Sequence, residues 1–349
     1  MSTQRVAIVI DQGASFTFSV TERPVPTLND NEVLVRLTAS GICGTDISLG
    51  EGKHGPCKDI LGHEGVGKVE QIGKAVDPTS IQIGQLVGVG WIRDSCGQCE
   101  TCSHPDGETR CRLQQRSGWQ VDGTLAEYVV VPSRYVVLLP DGVPHEHLAP
   151  IMCAGVTIYR ALKASGAIAG SFVAISGAGG LLGTLGIQYA RAMGLRIVAI
   201  DVGDTKRKLC LDAGAEAFID CASSSDMDAA IRDVTENRKA SAVIVCAGSV
   251  AAYESAFDLA APFGTIVCVG ILPPGQKIGF SPTHLIDGGF RVIGSLVGSR
   301  KEVGEAADFV RRGLVKPEVR VVGFGELAAA LADIRQGREA RKVVLKMEA

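Results

Sequence analysis

Four cysteines lie within sixteen residues, as Cys96-x2-Cys99-x2-Cys102-x8-Cys111. Two-residue spacers let neighbouring thiolates turn onto one ion, and zinc in a structural site takes four such soft ligands tetrahedrally. A closed set of four leaves no position for a reactant, so this quartet is expected to support the fold. A second set is looser. Cys43 sits in Gly41-Ile42-Cys43-Gly44-Thr45-Asp46 and His63 in Gly62-His63-Glu64-Gly65, each flanked by glycine. A thiolate and an imidazole are two of the three protein ligands that a catalytic zinc needs, its fourth position staying open. Spacing alone leaves the third undetermined among His54, Cys57, His145, His147 and Cys153.

A third constellation is Gly177-Ala178-Gly179-Gly180-Leu181-Leu182-Gly183. Glycines between a strand and a helix permit a tight turn and close approach to a pyrophosphate at the helix N-terminus. The regular G-x-G-x-x-G is broken by Leu182, and the working spacing is Gly177, Gly180, Gly183. Asp201 ends the following strand, where a carboxylate binds the adenosine ribose hydroxyls and repels a 2′-phosphate. That favours NAD over NADP, with Lys206 and Arg207 as opposing charges nearby. Metal sites of two kinds with a dinucleotide turn imply metal-assisted hydride transfer.

Elements of two kinds must position these groups. Up to about residue 150 the chain reads as short strands cut by Gly, Pro and Asp: Val6–Ile10, Glu32–Ala39, Glu64–Ile72, Leu86–Trp91, Glu127–Val131 and Tyr135–Leu139. No long helical period intervenes, so an all-β, barrel-like domain is expected. After Pro150, strands of nearly pure Val, Ile and Ala (Phe172–Ser176, Arg196–Asp201, Ala217–Asp220, Ala242–Cys246, Thr265–Gly270, Arg291–Leu296) alternate with amphipathic helices. The helices are expected at Leu181–Met193, Thr205–Ala213, Met227–Thr235 and Ala251–Ala260. Such alternation predicts a doubly wound parallel sheet, hence an α/β protein. Two further helices (Glu302–Arg312, Glu326–Gln336) and a strand (Lys342–Lys346) follow.

Composition bounds the partners. The 349 residues carry a formal net charge of −3, which offers no general attraction to nucleic acid or anionic membrane. The 11 cysteines are an odd count, several in apolar runs, which argues against a secreted disulfide framework and for a reducing, cytoplasmic setting. The N-terminus has too short an apolar stretch for a signal peptide. Ala164–Ala190 is uncharged but is broken by glycines, and reads as strand, turn and helix rather than a membrane span.

With these residues in view, the chain resembles the zinc-dependent alcohol dehydrogenases of the medium-chain dehydrogenase/reductase superfamily, most of all the yeast and fungal class. The similarity runs over essentially the full length. It includes Pro150-Ile151-Met152-Cys153-Ala154-Gly155-Val156-Thr157, Val173-Ala174-Ile175-Ser176-Gly177 and Gly294-Ser295-Leu296-Val297-Gly298. It implies a GroES-like β-barrel catalytic domain (1–152), a Rossmann NAD-binding domain (153–297) and a segment (298–349) returning to the catalytic domain. It implies two zinc ions per chain, with Cys153 as third catalytic ligand and Cys96, Cys99, Cys102 and Cys111 around the structural ion. Glu64 would stand beside the catalytic ion as a neighbouring or transient ligand, and Asp46 would orient His63. Thr45 would take the substrate's hydroxyl proton, and Trp91 would line the substrate pocket. Gly177, Gly180, Gly183, Asp201, Lys206 and Arg341 would bind the cofactor, and members are usually homotetramers. The chain departs from the pattern at Ser48, where many members have a relay histidine, and at Gly44, where they carry a phosphate-binding His or Arg. The segment 49–60 is short and lacks tryptophan, which implies a pocket wider than ethanol needs.

The expected reaction interconverts primary or secondary alcohols with aldehydes or ketones. A related dehydrogenase acting on polyols, amino alcohols or bulky secondary-metabolite alcohols is the nearest alternative. A non-catalytic NAD(H)-binding zinc protein belongs to a different class, and the intact ligand trio with Thr45 argues against it.

Overall fold

The computed structural model describes residues 2–105 and 107–347. The chain divides into two compact units: residues 1–153, 298–311 and 317–349 form one, and residues 154–297 and 312–316 the other.

The first unit is built on a seven-stranded sheet in the order Val319–Val322, Lys342–Lys346, Glu32–Gly41, Gly65–Ile72, Leu86–Val89, Val137–Leu138, with Tyr128–Pro132 also paired to Glu32–Gly41. A hairpin, Thr3–Ile10 with Thr17–Pro24, bridges to it at Val6–Ala126. Fully buried Val6, Phe16, Leu37, Leu61, Val87, Leu125 and Leu345 fill its core, each contributing about 1.5–3 kcal/mol of burial. The last strand, Lys342–Lys346, pairs antiparallel with Glu32–Gly41, Val344 opposite Gly41. This last strand thus lies beside the segment that leads into Cys43.

The second unit holds a six-stranded, wholly parallel sheet. Its order is Ala217–Asp220, Arg196–Asp201, Phe172–Ser176, Ala240–Val245, Ala260–Cys268, Arg291–Gly294. Strand order reverses between Phe172–Ser176 and Ala240–Val245, the switch point at which such sheets bind ligands.

Two local expectations change. The first unit is not free of helix: Gly44–Gly50 forms two turns. These are too short to show a period, and they are held by caps and by buried Leu49. In the second unit the expected helix Ala251–Ala260 is two short ones, Val250–Glu254 and Ala256–Leu259. The next strand begins at Ala260 rather than Thr265. Pairing shifts between Ala240–Ala260 and Ala242–Thr265, with Phe263 at φ 63° in the irregular stretch. An interrupted ladder of this kind leaves no alternating apolar pattern in the sequence.

Candidate active site and metal centres

The helix Gly44–Gly50 starts at Cys43, whose backbone N–H donates to Asp46 Oδ2 at 2.9 Å, a reciprocal cap. The same carboxylate accepts from Gly62 N (3.0 Å) and from His63 Nδ1 (2.9 Å) through Oδ1. One buried aspartate therefore joins the segments of Cys43 and His63 and fixes the imidazole tautomer. With Nδ1 committed to Asp46, Nε2 is the ring nitrogen left for a ligand, and among the described residues it is buried without a partner. Cys153, at the end of the short 3-10 helix Ala149–Met152, brings its sulfur to 3.9 Å from that of Cys43. Ligand atoms of Cys43, His63, Glu64 and Cys153 all lie within 4.8 Å of one another. His54, Cys57, His145 and His147 lie outside this group. His145 Nδ1 instead shares a 2.7 Å hydrogen bond with Thr38 Oγ1.

The electrostatics suit a cation. Cys43 is held well below the ordinary thiol value, chiefly because Cys153 donates a hydrogen bond to its sulfur, and Cys153 is correspondingly pushed up. Burial pulls the His63 imidazole down, but Asp46 and Cys43 outweigh it and raise it. Burial raises Glu64 to about 8 against the opposing pull of Lys342. Lys342 Nζ donates to Glu64 Oε1 at 2.5 Å, both side chains at most 2% exposed. Glu64 Oε2 is buried and unpartnered. A Cβ on Gly41 would overlap that oxygen, so only glycine leaves room for the carboxylate. Two soft sulfurs, one inward imidazole nitrogen and a spare carboxylate oxygen match a zinc site with three protein ligands.

Thr45 and Ser48 are half-buried on the helix after Cys43, and at Gly44 a side chain would meet nothing within 4 Å. Trp91 packs edge-on against His63, centroids 5.0 Å apart. Sequence reading overlooked Lys342 and Trp119, the latter 6.2 Å from Trp91. Lys342 stands 278 positions from Glu64 in the chain, which no local pattern spans. Arg341, its neighbour, is exposed and shares two 2.9 Å hydrogen bonds with Glu339.

The quartet also converges. Its sulfurs stand 3.6 to 4.0 Å apart in the pairs Cys96–Cys111, Cys96–Cys102 and Cys99–Cys111. Four sulfurs placed tetrahedrally around zinc at ~2.3 Å would be separated by about 3.8 Å. Backbone N–H groups of Gln98 and Cys99 lower the Cys96 thiol to about 6, while burial raises Cys102 to about 11. All eleven cysteines are free of disulfides.

In the second unit, Gly177 follows the strand Phe172–Ser176 at φ 76°, and its Cβ would press on Ala247 N at 2.8 Å. Gly180 caps the helix Leu181–Ala192, and a Cβ on Gly183 would strike the backbone of Ala178 and Gly177. Gly177 and Gly183 thus tolerate only glycine, whereas a Cβ on Gly180 would meet nothing nearer than Gly177 O at 3.4 Å; the first N–H groups of the helix remain as anion donors. Asp201 Oδ2 accepts from Gly179 N at 2.8 Å. Its Oδ1 accepts from Lys206 Nζ at 2.7 Å. The acidic residue and the glycine turn are thus one hydrogen-bonded unit.

Known proteins share this design. Residues 29–141 match the alcohol dehydrogenase GroES-like domain family, and residues 182–312 the zinc-binding dehydrogenase family. The chain is 40% identical over 347 residues to an alcohol dehydrogenase of Schizosaccharomyces pombe, covering 99% of this chain and 98% of that one. It is 39% identical over 348 residues to one of Geobacillus stearothermophilus, covering 99% of each. Among solved structures, a zinc-binding dehydrogenase from Sinorhizobium meliloti bound to NADP matches with a TM-score of 0.87 at 29% identity, covering 99% of this chain and 100% of that one.

Proposed function

We propose, because this chain belongs to the zinc-dependent alcohol dehydrogenases of the medium-chain dehydrogenase/reductase superfamily, that Cys43, His63 and Cys153 hold its catalytic zinc and that it oxidises primary or secondary alcohols with NAD. The observation that carries this reading is the convergence of those ligand atoms on one another, with His63 Nε2 buried and otherwise unbonded. Zinc held there supplies Lewis acidity toward an alcohol oxygen. NAD supplies the hydride acceptor. The chain's residues do the rest. Asp46 keeps His63 Nδ1 protonated and the ring in place. Thr45 Oγ1 accepts the substrate's hydroxyl proton and passes it to Ser48 or to water. Lys342 holds Glu64 by one oxygen, leaving the other without a hydrogen bond among the described residues. Trp91 walls the substrate side.

The first unit serves as the catalytic domain and the second as the dinucleotide domain. The pyrophosphate rests on the N-terminus of Leu181–Ala192, and Asp201 selects against a 2′-phosphate, partly offset by Lys206. The phosphate contact assigned to Arg341 requires it to leave Glu339. The quartet holds a second, structural zinc. Among the described residues, no helix is long and apolar enough to cross a membrane. We read the chain as a cytoplasmic homotetramer, in line with its free thiols and with the usual assembly of the family it resembles.

Metal analysis combined with Cys43→Ala tests the assignment. The intact protein is expected to bind two zinc ions per chain. The variant is expected to bind one, to keep its fold and to lose alcohol-dependent NADH formation by at least about a thousandfold. Full turnover by a zinc-loaded Cys43→Ala protein would refute the ligand assignment.

A further inference from the structure

An aromatic strip leads away from the ligand group within the first unit. Trp91 meets His63 at 5.0 Å and 73°, Trp119 follows at 6.2 Å and 30°, and His54 lies 5.8 Å from Trp119, tilted at 51°. Arg116 lies across both indoles, its guanidinium carbon 4.9 Å from the Trp119 centroid and 6.0 Å from that of Trp91. Its place is built. The N–H groups of Trp119, Gln120 and Val121 converge on the Arg116 carbonyl at 3.0 to 3.3 Å, and its own N–H donates to Gln120 Oε1 at 2.9 Å. Next to it Ser117 N donates to Trp91 O at 3.0 Å, and Ser117 Oγ to Gly90 O at 2.7 Å. The turn carrying Arg116 is thereby tied to the residue that touches His63.

The guanidinium itself has no hydrogen bond or ion pair among the described residues. Other arginines of the same unit do: Arg134 pairs with Asp94, Arg300 with Glu108 and Arg5 with Glu127. Burial alone acts on Arg116, lowering its pKa, and no carboxylate contributes. Contact with the indole faces satisfies its plane and leaves its in-plane N–H donors unused. A half-buried cation with a free donor fork, set on two flat apolar walls beside a metal site, is complementary to a flat molecule ending in a carboxylate.

We propose that Arg116 is a specificity-determining residue, binding the carboxylate at the far end of an aromatic alcohol or aldehyde whose reacting carbon lies at the Cys43–His63–Cys153 group. The inference rests on the dehydrogenase reading above and adds the substrate class. Trp91 and Trp119 take the ring, and the guanidinium fork takes two carboxylate oxygens. A short neutral alcohol leaves those donors to water and gains nothing from them.

The test uses the intact zinc-loaded protein with 4-(hydroxymethyl)benzoate and its neutral counterpart 4-(hydroxymethyl)benzamide, followed by NADH formation. The wild-type protein is expected to favour the carboxylate in kcat/KM. Arg116→Leu is expected to cut the ratio of the two kcat/KM values by about ten- to a hundredfold, mainly through KM. Arg116→Lys, which keeps the charge but not the fork, is expected to fall between them, and the preference is expected to weaken with added salt. Thermal midpoint and zinc content verify that each variant is folded, and the lysine variant serves if the leucine variant is not. Should the wild-type protein show no carboxylate preference, or both variants leave the ratio unchanged, Arg116 merely covers the tryptophans and the inference falls, with the dehydrogenase reading intact. If the zinc-loaded protein oxidises no alcohol at all, the parent reading fails and takes this inference with it.

Discussion

At the scale of single residues, the site is a set of paired obligations. Asp46 caps a helix and orients a ligand with the same two oxygens. Glu64 is buried because Lys342 is buried with it. A lone carboxylate there would be far more costly than the pair, because the interior cannot solvate it. Lys342→Met is therefore expected to destabilise the protein by about 3–5 kcal/mol, and adding Glu64→Gln to restore most of the loss. Urea unfolding of the single and double variants at equal zinc content would decide it. No restoration in the double variant would show that Lys342 acts through packing alone. Lys342 was overlooked in the sequence and Arg341 chosen, for a simple reason. Arg341 lies in the bend just before the strand that Lys342 opens, and that one position separates a buried ammonium from an exposed guanidinium.

At the scale of elements, strands and glycine turns place the ligands, and one histidine beside them has a measurable pH signature. His145 opens the short helix His145–Leu148 and hydrogen-bonds Thr38 on the strand Glu32–Gly41. Burial, with Lys68 second, lowers its pKa below the ordinary value. The unfolded chain thus binds this proton more readily than the folded one. Its contribution is fully present above the unfolded pKa of about 6.5 and is lost as pH falls through the folded value. Thermal midpoints from pH 7.5 to 5 are expected to drop less steeply in His145→Gln than in the parent. Equal slopes would mean that the histidine titrates alike in both states. Most of the strands and helices were readable from the sequence, since buried parallel strands carry unbroken apolar runs. The helix Gly44–Gly50 and the early start of Ala260–Cys268 were not, because caps and a register shift, rather than periodicity, define them.

At the scale of the whole molecule, two groups of metal-ligating side chains lie in one unit. The quartet loop is bound into its surroundings. The Ser95 hydroxyl meets that of Tyr135, and Glu108 pairs with Arg300 at 3.0 Å while accepting from its backbone N–H at 2.7 Å. Arg300 also lies over the Tyr135 ring at 4.5 Å. Losing the quartet's ion should therefore loosen the returning C-terminal segment as well as the loop. Cys102→Ser is expected to lower the thermal midpoint by roughly 5 °C or more, and Cys43→Ala to lower it less. Hydrogen exchange at 300–311 offers a second readout, and unchanged protection there in Cys102→Ser would contradict the coupling.

The donors themselves were legible in one dimension: four cysteines at close spacing, a Cys and a His between glycines, and a glycine turn with an acid one strand later. Each of these works through neighbours in the chain, so local chemistry suffices to announce it. Whether Cys153 joins Cys43 and His63, that Lys342 pairs with Glu64, and that Arg116 lies over Trp91 and Trp119 with no ion pair among the described residues were decided only when distant segments packed together. Contacts across a hundred or more residues depend on which sheet edges and faces meet. Burial then determines which charges must find partners and which are left free to seek a ligand.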